Sequence, residues 1–435
     1  MSSDSCRLAD IADIQGGYAF KSADFGSSGV AVVKIANIQP PNVVLDAADR
    51  VEQHKLEGLT RFELADGDIL MAMTGATVGK VARLRKTERA FLNQRVARIS
   101  AKDDPELNDF IYALVSQPGF DKQIQSAAAG SAQANISAAG IGAVVIPSLD
   151  RDTQLVIGSI ARSIDDRITL LRETNATLEA IAKALFKSWF VDFDPVRAKA
   201  EGRQPEGMDA TTAALFPDSF EESELGLVPR GWGVVPFLDA CDLQGGAQPP
   251  AATFIDEPRD GYVRLLQIRD FSTDAHKTYI PDTGKLKKVT EDDVLIGRYG
   301  SASGDKAKDS LGRVCRGLSG SYNVALMKLC PVQVGREYAL QLVSDSSFYG
   351  YLQGVSSKAV QSGFSKAELG QYKVIMPPSD LAEAFEQFGK AVWERVKANR
   401  ELAQTLTQLR DTLLPRLISG QLRLPEAESL LENAL

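Results

Sequence analysis

Two basic stretches hold the side chains of this sequence that are best suited to binding chemistry. Residues 61–100 carry eight lysines and arginines against four acidic residues, and residues 298–316 carry five against two. The net charge of the chain is −8, but residues 191–230 contain nine acidic and four basic residues, so much of the acidity lies between these stretches. Arginine and lysine hold phosphates or pair with guanine edges, whereas asparagine and glutamine suit adenine. A solvated face is the alternative, but the recurrence favours a binding surface.

The sequence lacks the common catalytic motifs. Gly75–Lys80 is one residue too short for a phosphate-binding loop, and the hydroxyl residue that would bind Mg²⁺ after the lysine is missing. No Asn/Asp-Pro-Pro-aromatic motif of amino-methyltransferases occurs, and His54 and His276 are isolated. The four cysteines lack metal or redox spacing, so we expect reduced thiols, no metal site and no bound cofactor. These features favour a non-catalytic binding or adaptor protein.

The elements that must position the basic stretches occur twice, about 228 residues apart. Asp13–Gly17 (DIQGG) recurs as Asp242–Gly246 (DLQGG), and Val144–Pro147 (VVIP) recurs as Val374–Pro377 (VIMP). Short apolar runs bounded by Gly, Pro or polar turns predict strands before each proline, and a long helical pattern follows it. The predicted fold class is α/β (mixed α+β), with duplicated globular domains joined by two long helices in a pseudo-twofold arrangement.

Apolar residues repeat every seven positions in both helical segments, which is typical of a coiled coil. The seam residues are Ile157, Ile164, Leu171, Asn175, Leu178 and Leu185 in the first helix and Val392, Val396, Asn399, Leu406 and Leu413 in the second. Halves related by a twofold axis perpendicular to the seam require antiparallel packing. Reflection about the seam midpoints places Asn175 opposite Asn399, where facing amides fix the register. Because Pro415 lacks an N–H, we expect the second helix to end or kink there and Leu417 to leave the seam.

Three local phrases carry a family resemblance. They are LNQRV at 92–96, IAKALFKSWFVDFDP at 181–195 and LLPRLISGQL at 413–422. With two globular domains alternating with two long helices, the chain resembles the DNA-specificity (S) subunits of type I restriction-modification systems over nearly its whole length. The resemblance implies that each domain is a target-recognition domain that reads one half of a bipartite site in double-stranded DNA. A seam of about 33 residues would span about 50 Å, or about 15 base pairs.

The resemblance also implies partners. Two methyltransferase (M) subunits would bind S-adenosylmethionine and methylate adenine, and motor-nuclease (R) subunits would use ATP and Mg²⁺ to cut unmethylated sites. The chain itself would bind none of these cofactors. Trp189, Phe190 and Phe193 at the end of the first helix are candidates for docking a methyltransferase subunit, with packing onto a recognition domain as the alternative. The sequence contains no 18-residue apolar run and no signal peptide at its start, so we expect a cytoplasmic protein with no membrane partner.

The candidate DNA contacts lie in the basic stretches and in one polar loop of each domain. They are Thr74, Thr77, Lys80, Arg83, Arg85, Gln133 and Asn135 in the first domain and Arg298, Tyr299, Ser301, Ser303, Lys306, Lys308, Lys358 and Gln361 in the second. For any single member, an ordinary solvated loop side chain is the alternative. The expected boundaries are 1–149 for recognition domain 1, 150–194 for spacer helix 1, 195–230 for the acidic connector, 231–378 for recognition domain 2, 379–419 for spacer helix 2 and 420–435 for the tail.

Two other functions fit the same sequence. A specificity subunit of a methyltransferase-nuclease pair without a translocating motor would have the same architecture, because the difference lies in the partner. A coiled-coil scaffold that does not bind DNA could arise from the same duplication, and its interactions would be insensitive to salt, whereas DNA binding weakens steeply as the salt concentration rises. A single-chain enzyme that both reads and modifies DNA is disfavoured by the missing methyltransferase motifs.

Overall fold

The computed structural model describes residues 5–46, 48–85, 88–128, 134–273, 275–300, 310–356 and 363–427. The chain divides into two compact units. Unit 1 comprises residues 1–172 and 400–435, and unit 2 comprises residues 173–399. Each unit therefore contains one globular domain together with segments of both long helices.

Unit 1 has a mixed α/β domain. Its strands are β1 (Ser5–Arg7), β2 (Ala12–Gly16), β3 (Phe25–Gly26), β4 (Val30–Val33), β5 (Ile38–Gln39), β6 (Asn42–Val43), β7 (Asp49–Val51), β8 (Ile69–Ala72), β9 (Val81–Arg83), β10 (Ala90–Leu92), β11 (Val96–Ala101) and β12 (Val145–Pro147). Its helices are α1 (Leu8–Ile11), α2 (Asn108–Ser116), α3 (Phe120–Ala128), α4 (Ala138–Gly142) and the first part of α5 (Arg151–Phe190). One sheet has the strand order β2-β11-β8-β9-β6-β5, and another has the order β10-β4-β7-β3.

Unit 2 repeats much of this plan. Its strands are β13 (Phe220–Ser223), β14 (Gly226–Pro229), β15 (Gly233–Pro236), β16 (Cys241–Gly245), β17 (Tyr262–Leu266), β18 (Tyr279–Pro281), β19 (Lys288–Val289), β20 (Val294–Gly297), β21 (Val314–Arg316), β22 (Gly320–Tyr322), β23 (Leu326–Pro331) and β24 (Lys373–Met376). Its helices are α6 (Asp194–Ala200), α7 (Ala210–Ala214), α8 (Phe237–Ala240), α9 (Arg336–Ser344), α10 (Ser346–Ser356), α11 (Lys366–Leu369) and the first part of α12 (Ser379–Ile418). The order β16-β23-β20-β21 corresponds to β2-β11-β8-β9 of unit 1.

The repeated Gly-Gly sequences have a physical reason. A Cβ atom on Gly17 would lie 2.3 Å from the backbone of Asn93, and one on Gly246 would lie 2.2 Å from the carbonyl oxygen of Asn323. Real Cβ atoms essentially never approach so closely, so only glycine allows the two chain segments to meet here. Both domains use this contact at the same place, immediately after their first long strand (β2 or β16).

The core of each domain is made by the runs that the sequence predicts as strands. All four residues of β8 are buried, and so are all four residues of β20. Such continuous apolar runs are typical of strands that are covered on both faces. The sheets therefore provide a rigid base for the loops that follow β8 and β20.

The long helices meet side by side within each unit. In unit 1, Ile157, Ile164 and Leu171 belong to the same buried cluster as Leu406 and Leu413. In unit 2, the amide Nδ2 of Asn399 donates a hydrogen bond to Oδ1 of Asn175 at 2.8 Å, which is the pairing that an antiparallel register predicts. Among the remaining seam residues, Val396 is buried, and Leu178, Leu185 and Val392 are half-buried.

The sequence predicts that the second helix ends or kinks at Pro415, and the first of these two outcomes is wrong. Helix α12 continues to Ile418, and Leu417 remains buried with 3% of its surface exposed. Proline removes one backbone hydrogen bond at this point. Leu413, Leu414 and Ile418 are buried beside it in the core of unit 1, and this apolar burial offsets the lost bond.

Candidate nucleic-acid interface

In unit 1, the fold joins the two segments that the sequence predicts as DNA contacts. Thr74, two residues after β8, forms an antiparallel bridge with Asn135. The N–H of Gly75 donates to the carbonyl of Ala134, and the N–H of Ile136 donates to the carbonyl of Met73, both at 3.0 Å. These bonds fix the polar loop beside the basic stretch, so that residues far apart in sequence share one edge of the domain. Gln133 lies outside the described residues.

Unit 2 has the corresponding bridge between Tyr299 and Gly363. A Cβ atom on Gly363 would lie 2.6 Å from the Tyr299 ring, so glycine is required for the ring to lie against the backbone. The Arg298 guanidinium donates from Nε to the carbonyl of Phe364 at 3.2 Å. The other candidates of this domain, namely Ser301, Ser303, Lys306, Lys308, Lys358 and Gln361, lie outside the described residues.

The side chains around the unit 1 bridge differ in how freely they could meet a ligand. Lys80 and Asn135 are exposed. Thr77 donates its hydroxyl to the carbonyl of Thr74 at 3.3 Å and thereby holds the turn. Arg85 pairs with Asp166 at 3.1 Å, but half of each side chain is exposed, and such surface pairs contribute little and exchange readily.

Arg83 does not fit the role of a DNA contact. Its Nη1 atom lies 2.7 Å from Oδ1 of Asp109, and only about a fifth of either side chain is exposed. Its guanidinium lies 4.4 Å from the centre of the Tyr112 ring, and burial raises the pKa of that tyrosine to about 12. The expectation for Arg83 is therefore corrected: the side chain is committed to packing within its own unit.

Arg95 is a further candidate, which the contact prediction missed. It is exposed in the turn between β10 and β11, and its carbonyl accepts a hydrogen bond from the N–H of Met73 at 3.0 Å, one residue from the bridge. In unit 2 the matching hydrogen bond joins the N–H of Arg298 to the carbonyl of Ala325 at 2.9 Å. One arginine thus stands at this pair of positions in each unit, but Arg95 precedes β11, whereas Arg298 follows β20. The LNQRV phrase was the available signal, because it places a cation in a tight turn.

The aromatic residues at the end of α5 belong to the core. Trp189, Phe190 and Phe193 are only 4–6% exposed. The ring centres of Phe190 and Tyr338 are 5.0 Å apart, and those of Phe193 and Trp232 are 5.7 Å apart. These side chains hold α5 onto the unit 2 domain, so the alternative of domain packing describes them and the docking interpretation is corrected.

A groove of about 750 Å³ lies next to this aromatic cluster in unit 2. Ile181, Leu185 and Phe388 line its apolar part, together with an edge of Trp189. Its polar rim contains four acidic residues, Asp194, Glu201, Glu206 and Asp209, against Arg197 and Arg203. Ile181 is 48% exposed, which leaves an apolar side chain of a long helix available at this groove.

The described ranges contain no group of three or more His, Cys, Asp or Glu side chains that could hold a metal ion. Within the same part of the chain, no helix is both long enough and apolar enough to cross a membrane.

Comparison with known proteins gives consistent matches. Residues 3–180 match the family model of the type I restriction modification DNA specificity domain. The specificity subunit of type I restriction enzyme HindI from Haemophilus influenzae is 26% identical over 325 residues, which are 63% of this chain and 68% of the relative. The MjaIX specificity subunit from Methanocaldococcus jannaschii is 22% identical over 353 residues, or 77% and 73% of the two chains.

The fold agrees with these matches. The crystal structure of a type I restriction-modification S subunit from M. genitalium superimposes with a TM-score of 0.52 and 15% sequence identity, covering 95% of this chain and 96% of that chain. The fold of the whole chain is thus shared with a protein of the same kind as its sequence relatives. Residues 3–180 thus match a type I restriction modification DNA specificity domain, and the chain is similar in sequence to specificity subunits of type I restriction enzymes.

Proposed function

We propose that this chain is the non-catalytic DNA-reading subunit of a type I restriction-modification complex and that each unit reads one half of a bipartite site. One observation carries this proposal: each unit joins a loop after its central strand to a distant loop, through the Thr74–Asn135 bridge or the Tyr299–Gly363 bridge. Two domains that read different DNA sequences require the same arrangement of joined loops, which we call the loop frame, with different side chains in each domain.

The side chains of the frames support distinct contacts with DNA. Lys80 would hold a phosphate, since it is a flexible exposed cation. Arg95 and Arg298 would pair with guanine edges, and Asn135 would pair with an adenine edge, because these are the bidentate matches of the major groove. Because Arg95 and Arg298 stand on different ones of the two hydrogen-bonded segments, the two units would read different bases.

The long helices would separate the two readers. We propose that α5 and α12 form an antiparallel coiled coil and that the duplicated halves are related by a pseudo-twofold axis. The Asn175–Asn399 hydrogen bond of unit 2 supports this arrangement, and so does the shared cluster of Ile164 and Leu406 in unit 1. A fixed register of the helices would fix the number of base pairs between the half-sites.

The partners would supply the chemistry. Two methyltransferase subunits would bind S-adenosylmethionine and methylate adenine, and motor-nuclease subunits would use ATP and Mg²⁺ in the cytoplasm. The groove beside Trp189 is the proposed docking surface for a methyltransferase subunit, because Ile181 and Phe388 offer an apolar floor and the acidic rim suits a basic segment.

The experiment is to sequence the methylome of cells that express this chain with the methyltransferase subunit encoded beside it. We expect adenine methylation at a bipartite motif with one fixed gap, and exchange of residues 231–378 for those of another specificity subunit should change one half of the motif only. Absence of methylation in a stable complex with an active methyltransferase would refute the proposal.

Two point variants sharpen the experiment. Arg95→Ala should relax base choice at one position, whereas Lys80→Ala should weaken binding to all sequences and reduce its salt dependence. Lys102→Ala is the matched control, since Lys102 is also exposed but lies beyond the other end of β11, about 23 Å along the strand from Arg95. An equal effect of the Arg95 and Lys102 substitutions would contradict the assignment of Arg95.

A further inference from the structure

The two units share an arginine–carboxylate pair at equivalent positions. Arg83 is the last residue of β9 and pairs with Asp109 at 2.7 Å, and Arg316 is the last residue of β21 and pairs with Glu337 at 2.8 Å. Asp109 and Glu337 are each the second residue of the helix that follows, α2 or α9. The same joint between a strand and a helix therefore exists twice, although the acids differ.

The backbone register around the two arginines is also the same. Arg83 lies opposite Ile69, the first residue of β8, and Arg316 lies opposite Val294, the first residue of β20. A pair that formed by chance on the surface would not be expected at equivalent register positions in two sheets. The pair is a feature of the fold rather than of one sequence.

Each pair also contacts the long helix that follows its domain. In unit 1, the second carboxylate oxygen of Asp109 lies 3.1 Å from Arg162 of α5. In unit 2, the guanidinium of Arg316 stacks 4.0 Å from the centre of the Trp393 ring, which belongs to α12. A sheet, a domain helix and a long helix therefore meet at one charged group.

Additional contacts of unit 2 strengthen the joint. The carboxylate of Glu386 in α12 accepts hydrogen bonds from the N–H groups of Arg336 and Glu337 at 3.0 and 2.8 Å. A Cβ atom on Gly389 would lie 2.6 Å from Cβ of Glu337, so α12 passes directly against this residue. Any rotation of the domain on its helix would break several directional bonds at once.

Stability alone does not explain why the residues of these pairs are charged. Arg316 and Glu337 are each 7% exposed, and replacing a buried ion pair by well-packed apolar residues is often neutral or stabilising. Unlike apolar contacts, charge-assisted hydrogen bonds are directional and add geometric specificity. Arg316 is too buried to reach DNA, and the Arg83 side chain is paired with Asp109 within its own domain.

We propose that Arg83–Asp109 and Arg316–Glu337 are positioning pairs that fix the orientation of each recognition domain on its long helix. They thereby set the allowed number of base pairs between the half-sites and leave the bases read unchanged. This inference rests on the proposed reading of a bipartite site. It assigns gap selectivity to residues that do not touch DNA.

The test is methylation, by the complex with its methyltransferase subunit, of duplexes that keep both half-sites and vary the gap by one base pair in either direction. The double variants Arg83→Met with Asp109→Leu and Arg316→Met with Glu337→Leu keep the volume of the joint and remove its directional bonds. We expect the preference for the natural gap to fall about tenfold, the effect of losing one hydrogen bond to a charged group. The half-site bases should not change.

Control variants separate positioning from stability. Asp109→Glu places the acid of unit 2 in unit 1 and should retain the gap preference. Arg89→Met with Glu63→Leu removes a pair of 2.8 Å within the same domain and should leave the gap preference unchanged. If a double variant does not assemble, Arg83→Lys and Arg316→Lys replace it as the test. Lysine keeps the charge but lacks the planar guanidinium that aims the hydrogen bond, so a smaller loss of gap preference is expected.

Each alternative result overturns the inference in a recognisable way. Unchanged gap preference in assembled variants would show that the pairs do not position the domains. Altered half-site bases at an unchanged gap would show that the arginines affect reading itself. Methylation by the wild-type complex at a contiguous site, or none at all, would instead refute the proposed function.

Discussion

Replacing Asn399 by leucine should destabilise unit 2, because Oδ1 of Asn175 would lose its donor inside the helix seam. The hydrogen bond between these two residues is 2.8 Å long, and their exposed fractions are 3% for Asn399 and 8% for Asn175. A buried polar group left without a partner costs about 1–3 kcal/mol. Leucine returns about 0.5 kcal/mol through its better helix propensity, so the net loss is about 0.5–2.5 kcal/mol.

The double variant Asn175→Leu with Asn399→Leu should recover this loss. No amide then remains unpaired, and two apolar side chains of similar size fill the seam. Each leucine adds helix propensity, so the free energy of unfolding should equal or exceed that of the wild type. If Asn175→Leu costs as much as Asn399→Leu, the expected coupling energy between the two positions is about 1 kcal/mol or more.

Urea unfolding followed by tryptophan fluorescence is the appropriate assay. All three tryptophans, Trp189, Trp232 and Trp393, lie in unit 2, so their emission reports the unit that contains the substituted pair. Ala176→Leu is the matched control, because Ala176 is the exposed neighbour of Asn175 on the same helix, and it should change the stability by no more than about 0.5 kcal/mol. Additive effects of the two single substitutions would refute the reasoning, since independent asparagines cannot form the buried bond.

Two further predictions concern backbone approach and the aromatic core of unit 2. Gly246→Ala should cost about 1–3 kcal/mol, because its Cβ atom would lie 2.2 Å from the carbonyl oxygen of Asn323, whereas Gly245→Ala meets no atom within 4 Å and should be tolerated. Equal urea midpoints for the two variants would contradict this. Phe190→Ala should cost about 3–5 kcal/mol, while Val191→Ala, at a side chain that is 39% exposed, should change little. A stable Phe190 variant that fails only to bind the methyltransferase would restore the docking role of this ring.

The periodic and repeated features of this chain were predictable from its sequence. The two long helices follow from a seven-residue apolar repeat, and the pairing of Asn175 with Asn399 follows from reflecting that repeat about its midpoint. Both inferences use only local spacing and symmetry, which do not depend on how the rest of the chain folds. The mixed α/β character of the domains follows in the same way from short apolar runs bounded by turns.

The candidate contacts were predictable only in part. The basic stretch and the polar loop meet at Thr74 and Asn135, but Arg83 does not belong to this surface. A paired arginine and a free arginine look alike in a charge count, because the partner Asp109 lies 26 residues away and approaches only in the folded domain. Arg95 was missed for the opposite reason, since its closeness to Met73 depends on strand pairing.

Local rules failed where tertiary burial opposed them. Pro415 lacks a hydrogen-bond donor, yet α12 continues through it because the leucines around it are buried in the core of unit 1. The sequence by itself determined the duplication, the helices and the absence of common catalytic motifs, since these depend on residue type and spacing. Only the tertiary structure decided which cations are paired within a domain and which are exposed, because pairing depends on distances between residues that are remote in the chain.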